Sequence, residues 1–104
     1  MRFDINTMLG DMVAAVGNAV ENYADKIGPY VQMILEKEKE SLEELAQARL
    51  AGEISEQEFY DEMEREKMVV QAELLTLQIM TKAMAQKAVN AAMAIFINAV
   101  KLAV

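Results

Sequence analysis

Apolar residues recur along this chain at intervals of three and four in three stretches, and each stretch predicts a helix with one greasy side. In the first, Leu9, Val13, Val16, Val20, Tyr23 and Ile27 share a side. Ala14, Ala15, Gly17, Ala19 and Ala24 leave the rest of that helix thin, so a close approach to another helix is expected despite the cost of Gly10 and Gly17 to helicity. Its start falls between Asp4 and Thr7, with Asn6 or Thr7 as the expected cap. In the second stretch, from Tyr30 to Leu50, Val31, Ile34, Leu35, Leu42, Leu45, Ala46 and Arg49 or Leu50 mark the inner side. The third begins after Ser55 and meets no breaker: Met63, Val70, Leu77, Met84 and Ala91 repeat every seven residues, joined by Leu74, Ala88, Ile95 and Leu102, as in a coiled-coil seam.

That last helix carries a second apolar line, Met68, Ala72, Leu75, Ile79, Val89, Met93, Phe96 and Val100. One antiparallel neighbour covers one seam. Leaving about seven large side chains of the other seam wet would forgo on the order of 10 kcal/mol, at about 1.5–3 kcal/mol each. Two seams on one helix therefore imply at least two neighbours, which predicts a dimer or larger bundle.

The clearest punctuation is Leu50-Ala51-Gly52-Glu53-Ile54-Ser55-Glu56-Gln57-Glu58-Phe59. Gly52 suits the left-handed close of a helix, Ser55 the cap of the next, Glu58 the returning carboxylate of a capping box, and Ile54 with Phe59 a hydrophobic staple. The fifteen residues Leu45 to Phe59 resemble the helical-hairpin pattern of small bacterial SHOCT-type modules and of the gas-vesicle protein G family, in which a leucine helix ends in Gly-x-Ile-Ser/Thr-x-x-Glu-Phe. What the resemblance implies is the turn itself.

Gly28-Pro29 is the other interruption. Proline removes a donor and clashes with the preceding turn, so the helix either kinks and continues or ends near Lys26 and restarts with Pro29 at its first position. Length favours the kink, because residues 6–51 and 55–100 are then equal arms of roughly 69 Å at about 1.5 Å per residue. Such arms would set Val16 near Asn90, Ile27 near Ile79, Val31 near Leu75 and Leu42 near Glu64, and would match the two Ala-rich stretches. The expected fold is all-α: one domain over residues 1–104, a long antiparallel helical hairpin (helix 6–51, turn 52–54, helix 55–100) with a kink at Gly28-Pro29, associating into an oligomeric helical bundle.

Composition agrees with helices, being 54% apolar with four Gly and one Pro. Seventeen acids against ten bases give a net charge of -7, which opposes a nucleic-acid partner. The run Glu36-Lys37-Glu38-Lys39-Glu40 followed by Glu43 and Glu44 reads as a solvated, salt-bridged face, with docking of a basic partner as the functional alternative. Asp4 and Asp11 outweigh Arg2 near the start, unlike a cleavable leader, and a cytoplasmic protein is expected. Residues 83–104 are the most apolar, yet Gln86, Lys87, Asn90, Asn98 and Lys101 interrupt them before a spanning length is reached.

No constellation names a reaction. Cysteine and histidine are both absent, which removes thiolate chemistry, the commonest general base and the Glu-x-x-His pairs of di-iron bundles. No EF-hand spacing or phosphate loop is present, and Ser41 and Ser55 lack an activating base. Glu73 interrupts an apolar region and reads as a solvent edge or an intersubunit hydrogen bond rather than a catalytic acid. Asn18, Asn22, Asn90 and Asn98 are surface positions or register-setting contacts, and the nine methionines suit an irregular core or an exposed groove for an apolar helix. No enzyme, cofactor or metal is expected. The expected function is assembly, scaffolding or adaptor work through self-association, as a dimer or higher, or through a partner helix, using Ile27, Val31, Ile34, Leu77, Met84, Ala88, Ala91, Ile95 and Phe96. The alternative is a peripheral membrane-surface protein, with residues 83–104, alone or together with 8–20, against lipid near Lys82, Lys87 and Lys101.

Overall fold

The turn at Gly52 forms as its residues require. In the computed structural model, which describes residues 4–20, 24–78 and 80–104 with the side chains of residues 24–27 outside that description, Gly52 sits at φ +75. The Glu58 backbone N–H donates to Ser55 Oγ at 3.1 Å and the Ser55 N–H donates to Glu58 Oε1 at 3.0 Å, closing a full capping box. Phe59 is buried and Ile54 packs on the core. The Ser55 N–H holds the Glu58 carboxyl below its ordinary value. Its stabilisation is thus present above the carboxylate range and is lost as pH falls through the lowered pKa. Ser55→Ala is expected to cost about 1 kcal/mol, a fall in Tm of about 4–8 °C in a calorimetric scan.

The described residues form five helices and no strand: α1 (Ile5–Ala19), α2 (Ala24–Lys37), α3 (Lys39–Leu50), α4 (Glu56–Leu75) and α5 (Lys82–Ala103). Asp4 caps α1, its carboxylate accepting from the N–H groups of Asn6 at 3.0 Å and Thr7 at 3.4 Å and from the Thr7 hydroxyl at 3.2 Å. Asn6 and Thr7, the expected caps, are instead the donors. α2 runs through Pro29, so the helix neither ends near Lys26 nor restarts there. α1 ends before Val20, whose backbone leaves helical geometry at φ -127 and ψ 51, and α2 packs against α1, with Asn6, Leu9 and Val13 beside Gln32 and Glu36. Glu38 separates α2 from α3 with its backbone at φ -92 and ψ 0.

The second arm is also broken. At the end of α4 the N–H groups of Leu77 and Gln78 bond to the carbonyls of Leu74 and Leu75 at 3.2 Å, tightening the last turn. Gln78 takes φ 56, uncommon for a residue with a Cβ. Thr81 then caps α5 by accepting from the Met84 N–H at 3.2 Å. Neither continuous 69 Å arm therefore exists, and the molecule measures 39 × 23 × 19 Å. Its radius of gyration of 13.3 Å matches the value of about 13 Å for a compact chain of this length. The α1–α5 and α3–α4 contacts join stretches that folding at Gly52 brings together, while the α1–α2 contact requires the extra break.

These breaks answer the question of the two seams. Before residue 76 the core takes the first seam, with Met63, Val70 and Leu74 buried; after residue 81 it takes the second, with Val89, Met93, Phe96 and Val100 buried beside Ala85, Ala88 and Ala92. A heptad line extrapolated across the break joins positions that no longer share a face. Most of the apolar surface that argued for several chains is covered within one.

Candidate interaction groove

α5 has two unlike sides. Its inner side packs mainly on α1 and α4 and supplies seven buried residues. On its outer side Lys87, Asn90, Ala94, Asn98 and Lys101 are exposed, at the three- and four-residue spacing of a single helical face. Part of that face floors an open groove of about 750 Å3, walled by Met8 and Asp11 of α1 and by Tyr60 and Lys67 of α4, with Ile95, Ile97 and Leu102 also lining it. Asn90 to Lys101 spans roughly 17 Å at about 1.5 Å per residue, or three turns. Exposed Ala94 at its centre leaves room for a second helix to approach closely. A smaller cleft between Arg49, Phe59, Tyr60 and Val100 holds about 220 Å3, below the roughly 300 Å3 at which small-molecule pockets begin.

Charge divides along the same line. Every one of the 17 acids lies at or before Glu73, and the chain beyond it carries only Lys82, Lys87 and Lys101. α5 is thus a cationic helix on an acidic protein, and it is the described helix long and apolar enough, by length and composition, to cross a membrane.

The residues expected to mediate association are divided by the structure. Val31, Ile34, Ala88 and Phe96 are buried in the chain's own core, so they cannot meet a partner without unfolding it. Leu77, Met84, Ala91 and Ile95 are half-buried, and Ile95 borders the groove. The side chain of Ile27 lies outside the described residues, as do Tyr23, Asn22 and Ile79. Conversely Met68, placed on an inner seam by its spacing, is 71% exposed. Asn18, Asn90 and Asn98 are exposed, and the last two face the groove. Glu73 stands at the solvent edge, 3.6 Å from Lys37 Nζ.

No family model, curated protein or solved structure matches the chain. Among the described residues no group of three or more acids is placed to hold a metal ion.

A second polar feature lies where α2 and α3 meet α4. Burial raises the Glu66 carboxyl above its ordinary value, helped by the nearby Glu38 and Glu62 carboxylates, and Glu66 Oε2 is buried without a hydrogen-bond partner. Burial likewise raises Glu38, with Glu73 adding to the shift and Lys37 opposing it. Groups with raised folded pKa values bind protons more tightly in the folded state. Their stabilisation is complete below the ordinary carboxylate value and lost as pH rises through the raised ones. The urea midpoint is accordingly expected to rise as pH first falls from neutral, before Glu58 and other ionised acids reverse the trend. Glu66→Gln should flatten that rise; an unchanged profile would remove the assignment.

Proposed function

We propose that this chain is a non-enzymatic helical assembly or adaptor protein whose α5 groove receives a helix with an apolar face and acidic edges. The observation that supports this most directly is the coincidence of an open three-turn groove with a helix that carries three lysines and no acid. Helix-in-groove recognition works through side chains spaced three and four apart along an apolar face, with flanking charge selecting the partner. Ala94 admits the backbone, Met8, Ile95 and Leu102 supply apolar contact, and Lys101 with Lys87 favours acids at the helix edges.

A second reading, attachment to a membrane surface, is favoured by the apolar length of α5 and by Leu102, which is 70% exposed. The seven core residues on the other side of the same helix oppose deep insertion.

A designed amphipathic peptide with a leucine face and glutamate edges tests the proposal directly. Titrated into the protein, it is expected to shift the amide resonances of Ala94, Ile95 and Asn98, while a version with lysine edges binds at least ten-fold more weakly. Shifts scattered over α2 and α3, or none at all, would remove the groove from consideration. Flotation with neutral and anionic vesicles runs in parallel, and the protein is expected to stay at the bottom of the gradient.

A further inference from the structure

We infer that the helix occupying the α5 groove is α4 of a second copy of this chain. The outer side of α4 has the chemistry that the groove calls for. Met68 is 71% exposed, Val69 44%, and Ala72 is exposed beside them, so the face turned away from the chain's own core is apolar at its middle. A solvent-facing helix has no folding requirement for such a stripe, and large exposed apolar side chains gathered on one face are the usual mark of a contact surface.

The charges of the two helices are opposite in sign. α4 carries seven acids against Arg65 and Lys67, and Asp61 and Glu64 stand exposed at the N-terminal end of its stripe. Lys87 and Lys101 bracket the exposed line of α5, roughly 21 Å apart at about 1.5 Å per residue. The minority charges match as well. Asp11 is the acid on the groove wall, and exposed Arg65 is the base on the stripe. Met68 and Val69 would fill the space above Ala94 while Asp61 and Glu64 meet a lysine of α5. Groove and stripe are different surfaces of one molecule, so the contact is heterologous, each copy offering its stripe to the groove of the next unless a ring closes.

This inference rests on the groove being a helix-binding surface, and its test separates the two claims. Light scattering coupled to size-exclusion chromatography is run on the full chain and on two variants, Met68→Glu (stripe) and Ala94→Glu (groove). Both positions are exposed, and circular dichroism checks that each variant keeps its helices. The unaltered chain is expected to gain mass with concentration, and each variant alone to elute as a monomer. Mixed in equal amounts, the two variants are expected to form a discrete pair, because the intact groove of one meets the intact stripe of the other and the altered surfaces repel. A chain that stays monomeric at every concentration overturns the inference, and so does association that survives either substitution. Variants that lose association but fail to pair on mixing overturn it too, pointing to stripe on stripe or groove on groove. Binding of the acidic-edged peptide to a chain that does not self-associate would leave the groove standing and remove only its proposed occupant.

Discussion

Phe96→Ala is expected to lower the unfolding free energy by about 3–5 kcal/mol, the usual cost of emptying a buried aromatic site. Phe96 is fully buried, and its ring stacks on that of Phe59 with centroids 6.3 Å apart. The pair ties the middle of α5 to the first turn of α4, just after the capping box, so a loosened core is felt at the turn that starts the second half of the chain. A domain of this size holds about 5–15 kcal/mol in all, and the loss is a large share of it. Concentration makes the measurement decisive. If Phe96 belonged to a contact between copies, as its place on a second apolar seam suggests, the loss would vanish on dilution. The position in the core predicts a lowered urea midpoint that is the same at every dilution at which the chain is a monomer. A variant as stable as the parent under those conditions would place the ring outside the core.

The contrast between Phe96 and Met68 shows how far the apolar pattern can be read. Both lie on the same extrapolated line, yet one is fully buried and the other 71% exposed. Local signals that depend on a few neighbouring residues were legible: the glycine at φ +75, the Ser55–Glu58 capping box, the buried Phe59 and the helical character of every described segment. The break between α4 and α5 was not, because it contains no glycine, proline or asparagine. Its signals are two hydroxyl residues. The Thr76 side chain donates to the Glu73 carbonyl, and Thr81 caps the apolar stretch that follows. A threonine three residues before Met84 is a usable N-cap cue, but inside a sustained heptad it competes with a stronger periodic signal. A heptad phase that ignores this break runs two whole seams along one helix, whereas the core takes Met63, Val70 and Leu74 before it and Val89, Met93, Phe96 and Val100 after it.

The groove was half legible for a related reason. Asn90, Asn98 and Lys101 stood out as interruptions of an apolar stretch, and an interruption repeated at helical spacing is a face. Ala94 between them gave no sign, since alanine is compatible with either side of a helix. The groove walls come from α1 and α4, far away in sequence, and no local pattern records which residues a fold brings beside α5.

The largest local effect is expected at Leu42. Leu42→Ala should cost about 2–5 kcal/mol, as for other fully buried leucines, and the loss should be concentrated in α3. Among the twelve residues of this helix, Leu42 and Ala46 are the buried ones, and its exposed side carries Glu40, Glu43 and Glu44. Exposed ion pairs add only tenths of a kcal/mol each, and an isolated helix of this length is marginal in water, so α3 depends chiefly on Leu42, with Leu45 packed half-buried against the core. At its N-terminal end Glu38 makes no side-chain capping bond, which leaves little to hold the helix in place if Leu42 is cut back to a methyl group. Segments with few buried contacts open on their own before the rest of a domain unfolds. Hydrogen exchange on Leu42→Ala is accordingly expected to show α3 amides losing protection well beyond those of α5, whose seven buried residues remain in place. Equal loss of protection in α3 and α5 would mean that the two helices unfold as one unit, and that the charged helix does not depend chiefly on Leu42.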